Sequence, residues 1–208
     1  MIVQWGIKGL SLPDDGRAKA IIDAREGIQS KWWLHKGTIT PAEVSEVLTA
    51  ANLDLHVNHF DAIEPSSGEK VSQVTPFISI ACGTIQRDTV ARTNYVHTAL
   101  ETALMYATRF GASSVGYLYH CWVLVGSRPA VGIEGVAEEV RDLNAYRRYS
   151  AYQTDGEVTA KIAIPVSQIR RCEKWVWNRP AKVFSIEWTH DNPLFLDPTT
   201  LSNVREVI

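Results

Sequence analysis

Two periods organise the apolar positions of this chain. Over residues 88–111, DTVARTNYVHTALETALMYATRFG, the residues Tyr95, Ala99, Ala103, Tyr106, Ala107 and Phe110 recur at intervals of three and four, which predicts a long amphipathic helix closed by Gly111. Thr40-Pro41-Ala42-Glu43 supplies an N-cap, a proline at the first helical position and a capping-box glutamate, with Val44, Val47, Leu48 and Ala51 following at helical spacing. Residues 16–30 read as a further helix behind a turn at Pro13 and Gly16, and residues 134–149, EGVAEEVRDLNAYRRY, as a charged, solvated one. Strand character marks VTPFISIACG (74–83), VGYLYHCWVLVG (115–126), GEVTAKIAIP (156–165) and FSIEWTH (184–190). The short aromatic run KWWLHKGT predicts a strand ending at Gly37, and residues 52–73, with EPSSGEK at their centre, predict a loop. Helices crowd the first two thirds and strands the last, an order that argues an α+β fold with largely antiparallel sheets.

Length and charge narrow the class. The 208 residues, 45% of them apolar, suit one globular domain spanning 1–208. A formal net charge of −2 provides no global field toward a polyanion or a membrane, so contact with nucleic acid would need a local patch. Cys82, Cys121 and Cys172 are odd in number and sit among apolar neighbours, which reads as reduced thiols and a cytoplasmic setting. Neither a leader nor a run long enough to span a bilayer is expected, since His120 interrupts the most apolar stretch. No GxGxxG follows a strand and no GxxxxGK[ST] occurs, which weakens a dinucleotide dehydrogenase or P-loop reading.

Chemistry-bearing residues fall in three separated pieces: His35 near the end of KWWLHKGT, Ser79 within TPFISIACG, and the carboxylates Asp155 and Glu157 on either side of Gly156. Alternate residues of a strand share a face, so the two acids are placed to point the same way. A carboxylate beside a cleft suits reactions that build positive charge on a sugar, because it stabilises an oxocarbenium-like transition state more than the neutral ground state. Read singly, each residue also has an ordinary explanation: an exposed acid at a strand start, a surface histidine, a serine filling a core.

The order of the pieces resembles the ADP-ribosyltransferase superfamily of toxins and poly-ADP-ribose-type enzymes. The likeness runs over about residues 31–169 and rests most on TPFIS followed by ALETALMYA, then on an aromatic-x-x-acid-x-Glu turn leading a strand to Ile164-Pro165. Residues 170–208 form a basic and aromatic extension outside it. The resemblance implies split antiparallel sheets with flanking helices, NAD as co-substrate, and a mono-ADP-ribosyltransferase. It implies Glu157 as the catalytic glutamate that bonds the nicotinamide ribose and steadies its cation. Ser79 corresponds to the first serine of a Ser-Thr-Ser motif, with Ile80 and Ala81 replacing the other two. Asp155 takes the position tied to the choice of acceptor, and Tyr152 and Gln153 belong to the turn that contacts the target. His35 with Gly37 corresponds to the first NAD motif, although Lys36 intervenes and His56 and His59 are rivals for that role. Tyr106 is placed to stack on nicotinamide or to fill the core. The implied partners are NAD, a protein, DNA or RNA acceptor, and an antitoxin restraining a microbial toxin, effector or anti-phage factor.

Other readings remain open on the residues themselves. His56-x-x-His59 with Asp54 or Asp61 is a weak metal pattern, because neither HExxH nor paired CxxC occurs. Arg147 and Arg148 beside Tyr149 and Tyr152, and RRCEKWVWNRPAK farther on, interleave cations with aromatic rings as single-strand binders do. That patch makes a nucleic acid a candidate acceptor, and it also suits a non-catalytic nucleic-acid-binding module. An NAD glycohydrolase and an RNA-phosphate-processing transferase on the same fold are the remaining enzymatic alternatives.

Overall fold

The computed structural model describes residues 2–36, 40–82, 98–125, 136–139, 157–200 and 205–206. Strand β1 (Ile2–Leu10) lies at its centre, antiparallel to β4 (Val115–Val125) from Ile2↔Val125 to Leu10↔Tyr117. Beyond β4 come β8 (Ile169–Asn178) and the edge strand β9 (Val183–Asp191), both antiparallel, while the short β10 (Arg205–Glu206) flanks β1 in parallel. A second antiparallel group comprises β3 (Phe77–Ala81), β6 (Glu157–Lys161) and β5 (Val136–Glu139). The two groups meet through one pair, Ile7↔Ala81, and through a short parallel contact of β5 with β4. This is the split antiparallel arrangement expected of the sequence, and a cleft opens where the β1–β3 pairing stops. The remaining pair, β2 (Ile28–Gln29) with β7 (Ala163–Ile164), stands apart.

Helices cover both faces. Helix α1 (Asp15–Asp23) buries Ala18, Ile21 and Ile22 against Ile78, Ile80, Tyr119, Cys121, Val158 and Ile169, which alternate inward on their strands. Its first residue is pinned to the sheet: Asp15 accepts from the Tyr117 hydroxyl at 2.8 Å and from Trp188 Nε1 at 3.0 Å, and pairs with Lys174 at 3.0 Å. On the opposite face α6 (Ala99–Ala107) lays Ala103 and Ala107 on Ala81 and Leu118. Glycine permits that approach. A Cβ on Gly9 would overlap the Ala103 carbonyl, and one on Gly116 would lie 2.7 Å from the Ala107 Cβ.

Local signals and structure agree at α3 (Pro41–Val47), where Thr40 and Glu43 form the expected capping box. Thr98 and Glu101 form another at α6, so the described part of the helix expected over residues 88–111 begins at Ala99. Three expectations are corrected. The run at Lys31 is helix α2 (Lys31–Lys36), not a strand: Ser30 Oγ accepts from the Trp33 amide at 3.2 Å, and Trp32 turns inward while Trp33 and Leu34 face out. Residues 50–58 are helix α4 (Ala50–Asn58), not loop, capped by Thr49 and burying Leu53, His56 and Val57 at helical spacing. That stripe escapes a purely apolar count because one of its three members is histidine. Val136–Glu139 is strand, not helix, since pairing with β6 and β4 outweighs local propensity. The other strand assignments hold, with β1, β2, β8 and β10 added; β2 lies within the helix expected over residues 16–30, which ends at Asp23, and helix α5 (Val71–Val74) leads into β3.

Candidate functional site

Register places the catalytic candidates together. Ser79 pairs with Thr159 and Ala81 with Glu157, so Ser79, Ala81, Glu157 and Thr159 share one face of the β3–β6 pair. Because Ala81 also pairs with Ile7, Glu157 stands at the join of the two sheets. The cleft there takes Ile7 and Lys8 from β1, Ser79, Ile80 and Ala81 from β3, Glu157 from β6, His56 from α4 with Phe60 beyond it, and Thr102, Ala103 and Tyr106 from α6.

Glu157 is 8% exposed and accepts from the Thr159 hydroxyl at 3.5 Å. His56, 4% exposed, approaches it with Nε2 at 3.8 Å from Oε1. The same Nε2 lies 2.9 Å from Ser79 Oγ, and Nδ1 lies 2.9 Å from Thr75 Oγ1. Thr75 Oγ1 already accepts from the Phe77 amide at 3.2 Å, which favours donation of its proton to Nδ1. The proton of the imidazole then sits on Nε2, facing Ser79 and the Glu157 carboxylate, where the negative charge also favours it. Burial, and after it the Lys8 ammonium, push the His56 pKa down to about 3, so the ring is neutral at neutral pH. Lys8 is itself held below the usual lysine value by burial, with the Glu157 carboxylate opposing that shift. The cleft therefore sets one cation and one carboxylate, with Ser79, His56 and Thr102, beside an apolar wall of Ile7, Ile80, Ala81, Ala103 and the rings of Phe60 and Tyr106. Such a site can host a flat, weakly polar ring and stabilise positive charge developing beside Glu157.

Of the residues singled out in the sequence, Glu157, Ser79 and Tyr106 line this cleft. His35 does not. It lines a separate depression with Trp32, Lys36, Glu46, Glu64 and Glu69, and of the three histidines considered for the first motif His56 is the one that reaches Ser79 and Glu157. Gly37, Arg147, Arg148, Tyr152, Gln153 and Asp155 lie outside the described residues. Lys8, Thr102 and Phe60 were not legible as site residues. For Lys8 the signal was present, a lone cation between apolar and glycine positions in WGIKGL.

The rival constellations change character in three dimensions. Both ring nitrogens of His56 are committed to hydroxyls, so it is not placed as a metal ligand beside His59. Burial pushes the Cys121 and Cys172 thiols up to about 12, which leaves them protonated and unreactive. In the basic and aromatic extension, Arg171 pairs with Glu173 at 2.7 Å and Lys174 with Glu187 at 2.9 Å, while Trp175 donates to Glu173 at 2.9 Å. Much of the apparent cationic track is neutralised within the sheet.

No protein-family model and no curated protein matches the sequence. Solved structures do resemble the fold. EcPltA superposes with a TM-score of 0.54 at 13% identity, covering 94% of this chain and 89% of that one. A double mutant of heat-labile enterotoxin gives 0.48 at 16% identity over 97% of this chain and 67% of that one. A mutant catalytic domain of the mosquitocidal toxin from Bacillus sphaericus gives 0.42 at 13% identity over 98% and 64%. At 13% identity the likeness is one of fold: the chain carries the mixed α+β fold of EcPltA, while its order of motifs resembles the ADP-ribosyltransferase superfamily.

Proposed function

We propose that this protein is a mono-ADP-ribosyltransferase that takes NAD as co-substrate and passes ADP-ribose to a macromolecular acceptor. The supporting observation is the convergence of Glu157, Ser79, His56 and Lys8 on one cleft at the join of two sheets. In this reading the nicotinamide ring enters the apolar part of the cleft beside Tyr106 and Phe60. The bond between ribose C1′ and the ring nitrogen breaks, its electron pair neutralising the charge of the pyridinium as nicotinamide leaves. The Glu157 carboxylate stabilises the oxocarbenium ion left on the ribose, and Lys8 supplies a cation for the anionic remainder of NAD. An acceptor nucleophile then bonds C1′ and releases its proton to solvent. His56, neutral and donating from Nε2, holds Ser79 and through it the floor of the cleft.

Within the proposal, 1–208 acts as one domain, Asp155, Tyr152 and Gln153 face the acceptor, and Arg147 and Arg148 serve it if it is a nucleic acid. A toxin or effector restrained by an antitoxin and acting in the cytoplasm rests on analogy of fold alone. No helix among the described residues is long and apolar enough to cross a membrane. The test is nicotinamide release from NAD by the purified protein, with cellular protein or RNA added as acceptor. Release that falls about a hundred- to a thousandfold in Glu157→Gln, with the fold intact, supports the reading. Absence of release from the wild type under every condition overturns it.

A further inference from the structure

One polar atom of the cleft has no structural employment. Thr102 of α6 is 3% exposed, lines the cleft, and its hydroxyl has no hydrogen-bond partner among the described residues. A threonine inside a helix ordinarily donates to the carbonyl one turn back, as Thr108 does to Leu104 at 2.7 Å on the same helix. The Thr98 carbonyl, one turn before Thr102, accepts from the Thr102 amide at 3.0 Å and not from its hydroxyl. Burying a hydroxyl unpaired is unfavourable, so the unliganded protein loses stability at this position without a compensating bond.

We propose that the Thr102 hydroxyl is a positioning group for the ligand, bonding the carboxamide of nicotinamide. This rests on the reading of the cleft as an NAD site. The match is chemical. The wall around Thr102 is apolar, with Ile7, Ala81 and Ala103 near it, and accepts a flat ring. The charged groups, Lys8 and Glu157, suit the ionic parts of the substrate. A neutral amide on that ring needs a neutral partner able both to donate to its carbonyl and to accept from its NH2, and a hydroxyl does either. Long helical side chains lean toward the helix N-terminus, so Tyr106, one turn on, lies over the turn that holds Thr102. Entry of the ring against Tyr106 brings its substituent to the hydroxyl, which is closed to bulk water in the unliganded cleft.

The experiment titrates free nicotinamide, and separately 3-acetylpyridine, into the full chain by calorimetry for wild type, Thr102→Val and Thr102→Ser. 3-Acetylpyridine keeps the ring and carbonyl and replaces the NH2 with a methyl group. The wild type is expected to prefer nicotinamide, Thr102→Val to lose about three- to tenfold in affinity for it with that preference abolished, and Thr102→Ser to recover both. Without ligand, Thr102→Val should melt no lower than the wild type, since an isosteric methyl replaces an unpaired hydroxyl. Unchanged nicotinamide affinity in Thr102→Val, or a lowered melting temperature of the unliganded variant, overturns the assignment. A wild type that consumes NAD while the variants bind alike refutes only the role of Thr102. A wild type that neither binds nicotinamide nor consumes NAD refutes the NAD reading itself.

Discussion

His56 Nε2 lies 2.9 Å from Ser79 Oγ, joining a helix in the first third of the chain to the strand that pairs with the one carrying Glu157. The His56 ring also lies 5.7 Å from that of Phe77 on the same strand, and the hydrogen bond is what couples it to Ser79 itself. The pair should therefore act as a unit. Ser79→Ala and His56→Ala are each expected to lower nicotinamide release about tenfold, and the double variant to lose little more than the worse single one. Full additivity of the two effects in a double-mutant cycle would show that the bond does not matter to the reaction.

The buried imidazole also makes stability depend on pH. Its folded pKa, about 3, lies below the unfolded value, so between about 6.5 and 3 the unfolded chain binds a proton that the folded chain refuses. Stability is complete above that window and falls as the pH drops through it, by up to about 1.4 kcal/mol per pH unit from this group. Chemical denaturation at pH 7 and pH 5 should show the loss, and His56→Gln should flatten the difference while lowering stability at pH 7.

Burial lowers the Lys8 pKa and the Glu157 carboxylate, which lines the same cleft, opposes that shift. Lys8→Met removes the cation that favours ionised Glu157, so the acid limb of the pH–rate profile should move to higher pH. KM for NAD should rise as well, since the cleft loses its positive charge. Lys8→Arg is expected to keep the limb in place. A profile that does not move in Lys8→Met would separate Lys8 from the glutamate.

Helix α6 reaches the cleft only because Gly9 yields room to the Ala103 backbone. Gly9→Ala must push the helix off the sheet, at about 1–3 kcal/mol of stability, and should weaken NAD binding along with it by displacing Thr102 and Tyr106. Thermal melts and NAD titrations of the variant check both. A variant with normal stability and affinity would mean that the helix moves freely without cost to the site.

Much of the architecture was legible because its signals are local. The capping box at Thr40 lies within one turn of the helix it starts, and the alternation that follows Glu157 belongs to a strand wherever it pairs. The failures share a cause too. In α2 and α4 an aromatic and a histidine replace the aliphatic residues that mark a buried stripe, and at Val136–Glu139 a distant pairing partner overrides helical composition.

For the site, residue types along the chain named the carboxylate at Glu157 and the serine at Ser79, because their spacing from strand ends and turns is a property of the chain itself. Which histidine accompanies them was decided in space. His35 and His56 both sit on short helices, but α4 turns His56 inward to Ser79 while His35 opens onto another depression. Lys8 and Thr102 joined the site by the same route, one through cross-strand register and one through the close docking of a helix on glycine. Period and capping act over a few residues and can be read in one dimension; the meeting of Ile7, Ala81 and Glu157 across three strands depends on how the strands are aligned, and only the folded chain specifies it.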